Sequence, residues 1–256
     1  MTINLHYQSY GQGKPVLLLH GLFGSSRNWT VFARKLAQHC QVLTVDLRNH
    51  GNSGHAATMS YTEMAADIQQ FLQSHGYNQA SIIGHSMGGK VAMMFALTYQ
   101  SMIDRLVALD TAPVTYRNNF HSLINSLEAL PLTEITGRKH ADELLAWTIT
   151  DSQLRLFLLQ NLIQDSAGYR WRINLPALKH GLAELGHFPA FTDANPHAGP
   201  SLFLGGSDSE YLQPRHHEAI VRYFRNAQIH TVNNAGHWLH IDQPGAVLER
   251  IISFLR

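Results

Sequence analysis

The sequence predicts an α/β fold, a mostly parallel central sheet with helices on both faces. Two observations carry that expectation. Short runs of strand formers recur at 15–19, 41–45, 80–83, 103–109, 200–204 and 228–232. Amphipathic helical patterns stand between most of them, so strand and helix alternate along the chain. Only one stretch, from Pro113 to about Pro196, breaks the alternation.

The elements follow in order. Ile3 to Tyr10 alternates apolar and polar residues, as a half-buried strand does. Gly11-Gln12-Gly13 turns the chain into Pro15-Val16-Leu17-Leu18-Leu19, whose unbroken apolar character suits a strand covered on both sides. A helix is expected over about Asn28 to Gln38, then a strand over Gln41–Val45 ending at Asp46. Ser60-Tyr61-Thr62-Glu63 is a capping box, because the serine oxygen accepts from the third helical N–H while the glutamate reaches back. Met64, Ile68, Phe71 and Leu72 share one face of the helix it starts, and Gly76 stops that helix. Strand Ala80–Ile83, a glycine-flanked turn, a helix to Tyr99 and strand Ile103–Leu109 follow, the last ending at Asp110.

The irregular stretch reads as helices over Asn119–Leu130, Ala141–Ile149, Gln153–Ile163 (capped at Asp151 or Ser152) and Leu175–Leu185, with a short alternating piece at Tyr169–Ile173. It is expected to lie as a helical cap over the strand ends, giving a core of 1–112 and 197–256 and a cap of 113–196. Leu154, Phe157, Leu158 and Leu162 recur at helical spacing within it, either to pack the cap onto the core or to line an acyl pocket. The alternation then resumes with strand Pro200–Leu204, a helix over about Arg215–Arg225, strand Gln228–Val232 and a last helix Pro244–Leu255.

A chain of 256 residues, 45% hydrophobic, can bury one large core with one insertion. A net charge of +1 gives no electrostatic case for nucleic acid or an anionic membrane surface. The single cysteine, Cys40, cannot form an intrachain disulfide. The first residues show no signal peptide and no apolar run is long enough to span a membrane, so a cytoplasmic enzyme without an obligate protein partner is expected. The 17 histidines are expected to be mostly solvated.

In an open parallel sheet, ligands gather at the carboxyl ends of the strands, where His20-Gly21, Asp46, Ser86 and Asp110 all fall. Ser86 lies in Gly84-His85-Ser86-Met87-Gly88-Gly89, a G-x-S-x-G turn squeezed between strand and helix. Such a turn pushes the hydroxyl out and aims the N–H of Met87 at the same point, where negative charge can be stabilised. A serine hydroxyl needs a base and an acid to orient that base. His237 is the base expected, since it follows the last strand in a turn of small residues. His85 is expected to point away and His20 to shape the oxyanion loop. His237 and His240 form an H-x-x-H pair, but without a helix, glutamate or third ligand no metal site or other cofactor is expected. Asp110 and Asp208 compete as the acid; both fit the order serine, acid, histidine, and chain position slightly favours Asp208. Phe23 and Trp238 flank these loops, either contacting substrate or packing.

The motifs His20-Gly21-Leu22-Phe23-Gly24-Ser25, Arg48-Asn49-His50-Gly51, Gly84 to Lys90, Asp110-Thr111-Ala112-Pro113-Val114 and Ala235-Gly236-His237-Trp238 resemble those of the α/β-hydrolase superfamily, and within it the YbfF-type bacterial esterases. The resemblance spans essentially the whole chain. It implies the α/β-hydrolase fold with its helical cap, an ester substrate, and Asp110 as the triad acid, with Ser209 as a bridging hydroxyl. It also implies an oxyanion hole from the backbone N–H groups of Leu22 and Met87. The expected reaction is hydrolysis of carboxylic esters with small to medium acyl chains. A thioesterase or carbon–carbon hydrolase using the same residues, or a ligand receptor that keeps the shell, are the rival expectations.

Overall fold

The strand runs assemble into one twisted sheet in a computed structural model that describes residues 1–116, 120–189 and 196–256. Its first strands are β1 (Tyr7–Tyr10), β2 (Pro15–Leu19), β3 (Gln41–Val45), β4 (Ala80–His85) and β5 (Ile103–Leu109). A separate hairpin, β6 (Leu162–Asp165) and β7 (Gly168–Trp171), precedes the two strands that complete the sheet, β8 (Ser201–Gly206) and β9 (Ala227–Val232). Among the described residues the order is β1-β3-β2-β4-β5-β8-β9, and only β1 runs antiparallel to its neighbour.

Register sets where the site forms. Leu19, Gly84, Ala108, Phe203 and Ile229 stand in one row across the sheet. Two residues further along, Gly21, Ser86 and Asp110 therefore emerge at a common edge.

The core splits by strand alternation, because neighbouring side chains point to opposite faces. Leu17, Leu19, Ile82, Leu106 and Phe203 belong to one apolar cluster, with Met64, Ile68 and Leu72 of a helix over Tyr61–Ser74 and Val91 and Phe95 of one over Met87–Thr98. Val16, Leu18, Ile83, Val107 and Leu204 belong to the other, with Phe32 and Leu36 of a helix over Thr30–Leu36 and Val247 and Ile251 of one over Pro244–Leu255. These helices are α1 (Thr30–Leu36), α2 (Tyr61–Ser74) and α3 (Met87–Thr98), and the last of the chain is α10 (Pro244–Leu255). The Ser60 capping box is formed: Glu63 N–H donates to Ser60 Oγ at 3.2 Å and Ser60 N–H donates to Glu63 Oε2 at 2.9 Å.

Between β5 and β8 lie α4 (Phe120–Glu128), α5 (Arg138–Leu145), α6 (Ser152–Leu159) and α7 (Leu175–Gly186). The expected start of the first at Asn119 falls outside the described residues, as do parts of the expected cap boundary near Pro196. Asp151 caps α6, its carboxylate accepting from Gln153 N–H at 2.9 Å and Leu154 N–H at 3.2 Å. The helix expected to reach Ile163 stops at Leu159. The chain reverses instead through Asp165-Ser166-Ala167-Gly168, where Gly168 holds φ 116° and Asp165 accepts from Ala167 N–H at 2.9 Å. Leu162 is thus a strand residue. The remaining α-helices of the described residues are α8 (His217–Tyr223), after a 3-10 turn over Pro214–His216, and a four-residue α9 (Leu239–Asp242), where the H-x-x-H pair was expected to lie outside any helix. No helix of the described residues is long and apolar enough to cross a membrane.

Candidate active site

The serine turn has the strained geometry its sequence implies. Ser86 holds φ 53° and ψ −116° at the junction of β4 and α3. A Cβ on Gly84 would overlap the carbonyl of Gly88, and one on Gly88 would lie 2.5 Å from the carbonyl oxygen of Leu19. Only glycine lets strand and helix meet this closely. Phe23 and Asp110 also hold positive φ, at 64° and 51°. Non-glycine residues in such conformations cost of order 1–3 kcal/mol each, and they cluster where function demands a fixed geometry.

Asp110 is fully buried at the end of β5. Its Oδ2 lies 2.6 Å from His237 Nδ1 and accepts from Ser209 Oγ at 2.5 Å, while its Oδ1 accepts from Gly206 N–H at 3.1 Å. Ser209 Oγ in turn accepts from Tyr211 N–H at 3.2 Å. With Nδ1 turned to the carboxylate, Nε2 is the ring nitrogen of His237 on the far side from Asp110. Ser86 and His237 line the same cavity. Asp208 does not join them. Its side chain is exposed and accepts from Ser207 Oγ at 2.8 Å. The slight preference that chain position gave it fails for a topological reason: β5 and β8 are neighbours, so the end of either reaches the histidine loop, and the turn after β8 points Ser209 inward and Asp208 outward.

Histidines beside the site act as neutral struts. His85 does not point away, as expected, but lies under the loop after β9. Its Nε2–H donates to the carbonyl of His237 at 2.8 Å, with ring centroids 4.7 Å apart. Burial holds its pKa well below the ordinary value, helped by His237 and His240. His20 Nδ1–H donates to Gly21 O at 2.8 Å and its Nε2 accepts from Leu47 N–H at 3.0 Å, so it braces the loop after β2. His50 does the same from the other side, donating to Arg48 O at 2.9 Å and accepting from Phe23 N–H at 3.2 Å. Burial lowers the pKa of His20, and pushes that of His50 down to about 3. Five histidines, including His197 and His240, are buried.

This frame surrounds the backbone N–H groups expected to form the oxyanion hole. Among the described residues neither Leu22 N–H nor Met87 N–H has a protein acceptor, whereas Phe23 N–H and Gly24 N–H beside Leu22 do. Phe23 O accepts from Asn161 Nδ2 at 2.8 Å, tying the oxyanion loop to the segment between β5 and β8. Behind it, buried Arg48 meets Asp67 at 2.7 and 2.9 Å, so the Arg-Asn-His-Gly loop is a scaffold for the site.

Three residues near the reacting atoms were not singled out by the sequence. Tyr211 stacks on His237, with centroids 4.1 Å apart and ring planes 26° apart. Tyr116 accepts from Ala112 N–H at 2.7 Å and donates to Tyr211 O at 2.5 Å. Lys90 is buried and donates to Val114 O at 2.8 Å and Gly186 O at 3.4 Å, clasping both ends of the inserted segment. Burial pulls its pKa down to about 7. Tyr116 and Tyr211 carry no motif signal, and Lys90 closes the serine-turn motif without any sign of its role; only the fold brings the three together. Of the inserted leucines and phenylalanine, Leu154 and Phe157 line the cavity while Leu158 and Leu162 are buried in the core. Phe23 and Trp238 line the cavity and also pack, against Phe120 and Phe157. His240 stacks on Trp29, 4.5 Å between centroids, and no group of three metal-ligating side chains occurs among the described residues.

Comparison with known proteins agrees with this architecture. Residues 14–244 match the family described as alpha/beta hydrolase fold. The chain is 40% identical over 248 residues to the sn-1-specific diacylglycerol lipase ABHD11 of Mus musculus, covering 94% of this chain and 80% of that one. It is 32% identical over 249 residues to Esterase YbfF of Escherichia coli, covering 97% and 95%. A solved structure titled marine microorganism esterase superposes with a TM-score of 0.95 at 34% identity, covering 99% of this chain and all of that one. With its serine turn, strand order and loop motifs, the chain belongs to the alpha/beta hydrolase fold family.

Proposed function

We propose that this protein is a carboxylic ester hydrolase in which Ser86 is the nucleophile, His237 the base and Asp110 the orienting acid. The observation that supports the roles is the 2.6 Å contact between His237 and buried Asp110, with Ser86 on the wall of the same cavity. Ser86 Oγ attacks the ester carbonyl and passes its proton to His237. The N–H groups of Leu22 and Met87 receive the oxyanion, a pair whose single members are typically worth about a hundred- to a thousand-fold in rate. The carbon–oxygen bond to the alcohol breaks, His237 protonates the departing oxygen, and water repeats the sequence to release the acid. Residues 113–196 form the cap of this reading. Small to medium acyl chains are the substrates, and the site of action is the cytoplasm.

Ser86→Ala is the test. It should abolish turnover of a p-nitrophenyl acyl ester while circular dichroism and thermal unfolding stay unchanged. Undiminished turnover in that variant removes the serine from the chemistry. Fractionation of cells carrying the native gene tests the location.

A further inference from the structure

Two cavities of very different size meet at Ser86. The smaller, about 30 Å³, is bounded by Tyr61, Lys90, Thr111, Tyr116 and Leu185. The larger, about 430 Å³, is bounded by Phe23, Leu154, Phe157, His237 and Trp238 among others. Ser86, Leu22, Phe120 and Tyr211 belong to both walls. Among the described residues His237 borders the larger cavity and not the smaller.

That asymmetry assigns the two halves of an ester. The imidazole must hand its proton to the departing oxygen, so the alcohol has to stand within hydrogen-bond reach of His237. The carbonyl oxygen is directed to the N–H groups of Leu22 and Met87. The acyl chain is then left the other side of Ser86. We propose that the small cavity is the acyl side and the large cavity the alcohol side, so that the enzyme selects short acyl chains carried on bulky apolar alcohols. This inference rests on the Ser86–His237 mechanism proposed above and adds the substrate class.

The volumes decide how sharp the selection is. The small cavity has about 30 Å³ of free volume against about 430 Å³ for the large one, so it sets the tighter limit on chain length. An acetyl or propionyl chain suits it better than a hexanoyl chain. The larger cavity falls within the roughly 300–1,000 Å³ range that encloses whole small-molecule ligands. The small cavity's wall is also tied in place. Tyr61 Oη donates to Leu185 O at 2.7 Å, Tyr116 is held at both Ala112 and Tyr211, and Lys90 is anchored to Val114 O. Acyl length is therefore limited by groups that cannot swing aside without breaking buried hydrogen bonds.

Two substrate series test the assignment. One varies the acyl chain from acetyl to octanoyl on a fixed p-nitrophenol; the other varies the alcohol from ethyl to octyl on a fixed acetyl. The expected kcat/KM falls at least about tenfold between propionyl and hexanoyl. It rises along the alcohol series by about three- to fourfold per methylene until the cavity is filled. Leu185→Ala, at the small cavity alone, should move the acyl limit out by about two carbons and keep the shape of the alcohol series. Leu154→Trp, at the large cavity alone, should truncate the alcohol series and keep the shape of the acyl series. If Leu185→Ala does not fold, the wild-type series and Leu154→Trp still decide the matter. The reverse pattern, with Leu154→Trp shortening the acyl limit, overturns the assignment while leaving the mechanism standing. No Ser86-dependent turnover in either series overturns both.

Discussion

The loops that close β5 and β8 each carry an aspartate at the same edge of the sheet, yet they put those carboxylates in opposite surroundings. Asp110 leaves its strand in a left-handed conformation, donates its own N–H to Leu204 O at 2.7 Å, and is fully buried among three hydrogen-bond donors. Asp208 sits one step further round a turn, its N–H donating to Ala235 O at 2.9 Å and its carboxylate in solvent. Serial position along the chain cannot rank the two. What ranks them is which way a tight turn faces, and at β8 the residue facing inward is Ser209, a neutral hydroxyl that supports the carboxylate of the other loop. One loop supplies the charge and the other supplies part of its solvation.

The largest effect expected from this contrast is in Asp110→Asn. Losing the carboxylate leaves His237 without the partner that fixes its tautomer, a change that costs about 10⁴-fold in kcat where it has been made in a serine protease. Steady-state hydrolysis of p-nitrophenyl acetate measures it, and a loss under tenfold would hand the role back to Asp208.

Acid probes the surroundings of the same loops. Burial puts both His50 and His240 at a pKa of about 3, far below their unfolded value near 6.5. The unfolded chain therefore binds more protons below pH 6.5, and the stability these neutral rings contribute is complete above that value. It is lost progressively as pH falls from 6.5 toward 3, by about 2 kcal/mol per histidine at pH 5. Urea unfolding at pH 7.5 and pH 5 measures the difference. His240→Phe, which keeps the stack on Trp29, should remove about 2 kcal/mol of it. An equal slope in that variant would show that His240 titrates normally.

Ser209→Ala comes next. It deletes one short hydrogen bond to a buried charge, which predicts a roughly ten- to hundredfold lower kcat with KM little changed. Asp208→Asn should do least. An exposed carboxylate with one hydroxyl partner contributes within about 0.5 kcal/mol, so kcat and thermal unfolding should stay close to wild type. An Asp208→Asn loss larger than that of Ser209→Ala would dissolve the distinction between the loops.

The core was readable from the sequence because its signals are local. Each parallel strand is an apolar run, α2 announces itself at Ser60 and Glu63, and Ser86, His237 and Asp110 stand where strands stop. Of the hairpin only the alternating second strand was readable; the first was not, since Leu162 keeps helical spacing with Leu154 and Leu158 while the turn at Asp165–Gly168 overrides that period. Nor was the inward direction of His85, which depends on the loop after β9 folding back over it. Most of the 17 histidines lie outside the core as expected, but which ones are buried was not readable, as burial comes from elements distant in the chain. Tyr116 and Tyr211 carry no pattern of their own, and the contacts of Lys90 and Tyr211 to Val114, Gly186 and His237 exist only in the assembled fold.

The left-handed backbone at Phe23, Ser86 and Asp110 has a bearing on how this protein can be engineered or evolve. Glycine at any of the three would relax the main chain, and at Ser86 or Asp110 it would also delete a side chain on which the proposed mechanism depends. The most durable version of this scaffold and its fastest version are consequently different sequences. A search that rewards heat resistance alone should drift toward inert proteins through these positions.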